Sequence, residues 1–139
     1  RIRATAVIVD TSVLVAIIKD ESSSAELARV ILAQDRPRMS AASYVEFMCV
    51  LARIGGPAAD RRGDQLLAAL GVEIVEVSVE QARLAAEAYR VFGKGSGHRA
   101  GLNFGDTFAY ALAVSCGEPL LFVGDDFRHT DVADVDARG

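Results

Sequence analysis

Tryptophan is absent from this chain, and proline (3), methionine (2), cysteine (2) and histidine (2) are sparse among its 139 residues. So few cysteines exclude a disulfide-stapled scaffold, which needs several bridges in a small chain. Cys49 and Cys116 lie within apolar helical patterns and have no CxxC or Cys/His spacing. They are expected to be core thiols of a reducing compartment. His98 and His129 stand apart from each other and from both cysteines, which leaves no donor set for zinc. Long apolar runs are also missing: none approaches the roughly 18 residues of a membrane span, and no basic-then-apolar signal segment opens the chain. A cytoplasmic protein without membrane attachment is therefore expected. Positive charge is lacking as well. With a net charge of −4, a polyanionic partner must be met by a local basic patch or a bound cation.

What is present is ordinary for a compact fold, with 51% hydrophobic and 24% charged residues in a length suited to one domain with its own core. The whole chain, 1–139, reads as that domain, with "RIRATA" (1–6) set aside as a leader or tag-derived segment. Strand-length apolar runs alternate with longer helical patterns. "AVIV" (6–9) is β-branched and continuous, as in a strand buried on both faces. Helices are predicted from Thr11 or Ser12 to Ile18 and over 24–34, 43–54, 58–70, 79–92 and 104–115. "RPRMSAA" offers a weak strand, "VEIVEV" (72–77) alternates like one, and "PLLFV" (119–123) reads as a buried one. The order βααβααβααβ predicts a parallel sheet with helices on both faces.

In such sheets the ligand site lies beyond the carboxyl ends of the strands, where the connection direction reverses. Asp10 follows the first strand and Asp125 the last, after a single glycine, while Glu46 and Asp106 open two apolar helices. Each has a structural explanation: Asp10 as a helix cap, Ser43-x-x-Glu46 as a capping box, Asp106 beside Asn103 as a cap pair, and Asp125 and Asp126 as turn residues. Taken together they read differently. The helices from Tyr44 and from Phe104 are apolar on nearly every face, and no Lys or Arg lies one turn from Glu46 or Asp106. Partly desolvated anions of this kind need a shared positive charge. All-oxygen donors suit Mg²⁺ or Mn²⁺, and such a site is equipped for phosphodiester hydrolysis.

"IVDTSVLVAI", "MSAASYVEFMCVL", "GLNFGDTFAYALA" and "LLFVGDDFRHTDV", in this order and spacing, resemble the PIN-domain family and, within it, the VapC-type toxins of bacterial toxin–antitoxin pairs. The resemblance spans residues 7 to about 135. It implies a three-layer α/β/α fold with a mainly parallel sheet of four to five strands. It also implies a metal-dependent endoribonuclease, usually dimeric and silenced by a cognate antitoxin protein. Asp10 and Asp106 match the family's closest metal ligands, Glu46 and the last acidic position complete the cluster, and Thr11 or Ser12 matches a small hydroxyl position beside the first Asp. Family members often place a spacer between the last two acids, whereas Gly124 is followed directly by Asp125 and Asp126. Counting from the strand favours Asp125, with Asp126 as the alternative.

The Gly-rich loop "GKGSGHRAG" carries Lys94, His98 and Arg99 just before the Asp106 helix, where cations and backbone N–H groups can approach an RNA backbone. It lacks the spacing of a nucleotide-binding loop. Aromatics at helical spacing are assigned to the core, with Tyr89 the candidate for stacking on a base. The surface for an antitoxin is sought in 12–34 and 43–54. Two other function classes remain: a haloacid-dehalogenase-like phosphatase, which wants a second Asp where Ser12 stands, and a PIN-like binding module without activity.

Overall fold

A computed structural model describes residues 6–56 and 58–132. The elements are β1 (Ala6–Val9), α1 (Thr11–Ile18), α2 (Ser24–Leu32), β2 (Arg36–Ser40), α3 (Ala41–Ile54), α4 (Ala59–Leu70), β3 (Glu73–Val75), α5 (Val79–Phe92), α6 (Asp106–Cys116) and β4 (Leu120–Leu121), followed by a 3₁₀ turn at Asp126–His129. Ala6, at the edge of the expected leader, opens β1, and residues 1–5 and 133–139 lie outside the described residues.

The four strands pair in the order β3-β2-β1-β4, all parallel. From β1 the chain steps outward through β2 to β3, then returns to add β4 on the other side of β1. The reversal of winding therefore falls at the carboxyl end of β1, where Asp10 follows.

Alternation along β1 divides the core. Val7 and Val9 face a cluster with Leu14 of α1, Ile31 of α2, Phe47 of α3 and Leu67 of α4. Ile8 faces the other, built on Ala88 of α5, Tyr110 and Leu112 of α6, and Phe127. Helices α1 to α4 thus cover one sheet face and α5 and α6 the other, giving three layers. Both faces of β1 are sealed, which is why its sequence is continuously apolar rather than alternating.

Local chemistry sets the element ends. Ser40 caps α3 by accepting from the Ala42 N–H at 3.2 Å, and Ser78 caps α5 by accepting from Gln81 at 3.1 Å. The cap at Ser40 starts α3 at Ala41, two residues before the expected start, so Glu46 sits in the second turn and the Ser43/Glu46 capping box does not form. Ser43 is instead buried, its carbonyl accepting from the Thr11 hydroxyl at 3.0 Å.

Three burial expectations are corrected, the first at Phe104, an aromatic expected in the core that is 73% exposed. Helix α6 is buried along most of its length, but α3 exposes Val45, Cys49 and Ala52 on one side. Cys49 is accordingly an exposed thiol and not a core one, while Cys116 is half-buried. The last strand is shorter than "PLLFV" suggested, because pairing with β1 ends at Leu121. No helix among the described residues is long and apolar enough to cross a membrane.

Candidate active site

At the carboxyl edge of β1 and β4 lies a cavity of about 250 Å³ bordered by Asp10, Glu46, Asp106 and Asp126, with Ser12 and Asn103 between them. Among the described residues no Lys, Arg or His side chain lines it. Four segments far apart in sequence thus deliver carboxylates to one place, each by its own local device.

Asp10 arrives from β1 and is 4% exposed. Its Oδ2 accepts from the Ser12 N–H at 3.0 Å, which caps α1, while its Oδ1 is buried with no hydrogen-bond partner among the described residues. The capping reading holds through Oδ2 and leaves Oδ1 uncommitted. Asp106 follows the same plan. Asn103 Oδ1 accepts from the Asp106 N–H at 2.8 Å, and Asp106 Oδ2 accepts from the Asn103 N–H at 3.0 Å. That reciprocal cap fixes Asp106 at the start of α6.

Burial dominates the electrostatics. It pushes the Asp10 carboxyl up to about 6, with the Glu46 charge adding to the shift and the Ser12 hydrogen bond opposing it. Asp106 is pushed up to about 7, again mainly by burial, with the charges of Asp10, Asp126 and Glu46 adding. Desolvation, reinforced by repulsion among anions with no cationic side chain among the described lining residues, produces this pattern.

The auxiliary hydroxyls are occupied in holding the site together. Thr11 binds α1 to α3 through Ser43, and Ser12 Oγ accepts from the Val123 N–H at 3.0 Å, tying α1 to the segment after β4.

The two candidates for the last acidic position are placed differently. Asp125 does not border the cavity, its side chain being 83% exposed and paired with Arg128 at 3.0 Å, whereas Asp126 does. Two features rotate the choice by one residue: β4 stops at Leu121, and Gly124 turns the chain at φ +100° before the 3₁₀ turn begins. A side chain would be strained at that φ.

The basic loop leads into the site through Asn103. Its ends are zipped by the Lys94 N–H donating to the Leu102 carbonyl at 2.8 Å and the Leu102 N–H donating to the Phe92 carbonyl at 2.9 Å. Lys94 and Arg99 are exposed. His98 is engaged inside the loop: its Nδ1 accepts from the Ala100 N–H at 3.0 Å and its ring meets Phe92 edge-on.

The donor set fits a hard cation. Asp10 Oδ1 is an orphaned buried oxygen, the charged side chains bordering the cavity are all carboxylates, and the charge they share is uncompensated among the described residues. Among the described residues no three His, Cys, Asp or Glu side chains are already gathered to hold an ion. Mg²⁺ suits that arrangement, since it takes only one or two carboxylates directly and keeps several waters.

The PIN domain matches residues 7–133. The chain belongs to the PIN-domain family. Ribonuclease VapC42 of Mycobacterium tuberculosis (strain ATCC 25618 / H37Rv) is 50% identical over 125 residues, which is 90% of this chain and 95% of that protein. This PIN domain therefore falls among the VapC ribonucleases. Among solved structures, VapBC-1 from nontypeable Haemophilus influenzae aligns with TM-score 0.72 at 17% identity, covering 97% of this chain and 100% of the other. VapBC-5 from Mycobacterium tuberculosis, a member of the VapBC family of toxin–antitoxin systems, aligns with TM-score 0.61 at 24% identity over 94% of each chain. Both share the three-layer fold.

Proposed function

We propose that this PIN domain is a Mg²⁺- or Mn²⁺-dependent endoribonuclease and the toxin of a toxin–antitoxin pair. One observation carries the reading: Asp10, Glu46, Asp106 and Asp126 border a single cavity with no cationic side chain among its described lining residues. Asp10, through its free Oδ1, and Asp106 are the residues that would hold the metal directly. Glu46 and Asp126 would act through water or take up a proton. The bound ion supplies a water of lowered pKa and stabilises charge on the phosphoryl oxygens.

The chain's own contribution is positioning. The caps at Ser12 and Asn103 fix the two buried carboxylates, and the Ser12–Val123 bond sets the segment that delivers Asp126. Lys94 and Arg99, exposed on the loop that leads to Asn103, would meet RNA phosphates. The His98 ring, already engaged in the loop, contributes to its shape.

Two protein partners belong to the same reading, a cognate antitoxin and a second copy of the chain. The relatives named in toxin–antitoxin systems support the first. Leu32 (62% exposed), Val45 (59%) and Ile54 (44%) present apolar surface within the stretches 12–34 and 43–54. The phosphatase alternative is disfavoured, because Ser12 stands where it wants a second Asp.

The test is incubation of the purified protein with RNA in Mg²⁺, Mn²⁺ or EDTA, alongside Asp10→Asn. Cleavage that needs the ion and disappears in the variant supports the nuclease. Turnover of a small phosphate ester with RNA left intact would favour the phosphatase, and inertness toward both would favour a binding module.

A further inference from the structure

Gly105 immediately precedes Asp106, and its backbone gives no reason for glycine. Its φ of −62° and ψ of −38° lie in the right-handed helical region open to every residue. Gly101 (φ +59°) and Gly124 (φ +100°), by contrast, occupy left-handed conformations that disfavour side chains. The reason at 105 is space. A Cβ built there would fall 2.6 Å from Cδ and 2.8 Å from Oε1 of Glu46, and nearer still to Oε2. The three atoms it would meet first are all from that one carboxylate. Ordinary carbon contacts begin near 3.5 Å, so a side chain at 105 and the observed seat of Glu46 exclude each other.

Which of the two yields is decided by stiffness. The α6 entry is locked by the Asn103–Asp106 exchange of hydrogen bonds. Glu46 reaches its seat through a flexible side chain from the second turn of α3. A methyl group at 105 therefore displaces the Glu46 carboxylate and leaves the helix in place.

We infer that Gly105 is a positioning residue of this active site, whose missing side chain lets Glu46 of α3 close against the start of α6 and join Asp10 and Asp106 at the cavity. The role is indirect, since glycine has no group to offer an ion or a substrate. It differs from that of the capping residues, which hold Asp106 itself. The inference rests on the metal-dependent reading above for its consequence, but the contact between 105 and 46 exists without metal.

The experiment is a double-mutant cycle on the full chain with Gly105→Ala, Glu46→Ala and the two combined, read in three ways. In EDTA, melting temperatures report the bare contact. Gly105→Ala should raise the melting temperature in the Glu46→Ala background, where the helical conformation of residue 105 is free of crowding, and raise it less, or lower it, when Glu46 is present. Mn²⁺ affinity by calorimetry and RNA cleavage report the consequence. Gly105→Ala should weaken each by ~10- to 100-fold, as loss of a supporting contact does, and the double variant should be no worse than Glu46→Ala alone. Equal melting shifts in both backgrounds would overturn the contact. Wild-type Mn²⁺ affinity and cleavage in Gly105→Ala, or losses that multiply in the double variant, would overturn the positioning role. If the wild-type protein neither binds Mn²⁺ nor cleaves RNA, the nuclease reading fails, and the melting cycle in EDTA still decides whether residue 105 governs the seat of Glu46.

Discussion

Asn103 and Asp106 cap each other, each side-chain oxygen accepting the other's backbone N–H, at 2.8 and 3.0 Å. The contact separates what Asp106 does for the fold from what its charge does for chemistry. An asparagine at 106 can still accept from Asn103 through its carbonyl oxygen, and it removes a charge that burial penalises. Asp106→Asn should therefore melt at or above the wild-type temperature in EDTA at pH 8 while losing at least ~10- to 100-fold in cleavage. Asp106→Ala removes cap and charge together and should fall behind Asp106→Asn by about 1 kcal/mol in denaturant unfolding. An asparagine variant that is both less stable and fully active would refute this division of labour.

The two adjacent aspartates after β4 should behave unequally. Asp126 borders the cavity and its charge is felt at Asp106, whereas Asp125 is exposed and paired with Arg128 on the surface. Exposed pairs of this kind contribute ~0–1 kcal/mol. Asp125→Asn is expected to retain cleavage and stability close to wild type, and Asp126→Asn to lose cleavage with little change in melting temperature. Side-by-side rates on one RNA substrate check the order, and the reverse order would return the assignment to Asp125.

Much of this site was legible in the sequence because its positions sit where patterns end. Asp10 closes a run of β-branched residues, Asn103 and Asp106 carry the spacing of a cap, and the alternation of strands and helices pointed to the layers. What could not be read depended on distances between segments. The choice between Asp125 and Asp126 turns on where β4 stops, and that is set by its pairing with β1 at Leu121. The Ser43/Glu46 spacing matched a capping box, but Ser40 lies three residues earlier and wins the cap because the chain leaves β2 there in an extended conformation. The apolar neighbours of Cys49 imply burial, yet α3 turns that side outward. Gly105 carries no signal in its own neighbourhood, since its significance lies in a carboxylate 59 positions away in the chain.

Arg38 of β2 and Glu118, which precedes β4, form an ion pair whose side chains are only 13% and 16% exposed. It lies toward the amino end of β4, away from the acidic cavity at the carboxyl ends. Glu118→Ala should destabilise the protein by about 1–2 kcal/mol, because it leaves a partly buried guanidinium without its partner. Replacing both partners, as Arg38→Met with Glu118→Leu, should recover most of that loss. Cleavage well below the melting temperature should match wild type in each case. Denaturant midpoints at constant slope measure the first two outcomes, and a double replacement as unstable as the single one would show that the pair contributes more than its own burial demands.

Acidity links the cavity to stability with a defined sign. Asp10 and Asp106 titrate at about 6 and about 7 in the folded protein, against about 3.9 for an unfolded Asp. Between about pH 4 and about pH 7, the window those values span, the native state binds more protons than the unfolded one, so metal-free stability falls as pH rises and levels off above it. An Asp10→Asn, Asp106→Asn double variant should flatten that slope. Mg²⁺ competes with the same protons. Its stabilisation should thus be small at pH 5 and grow toward pH 8, reaching about 2.7 kcal/mol at a hundredfold excess over its dissociation constant. Melting curves across pH, with EDTA or Mg²⁺, test both halves. A metal-free slope unchanged in the double variant would mean that other groups set the pH dependence, and a Mg²⁺ shift equal at pH 5 and pH 8 would mean that the ion binds elsewhere than on these two carboxylates.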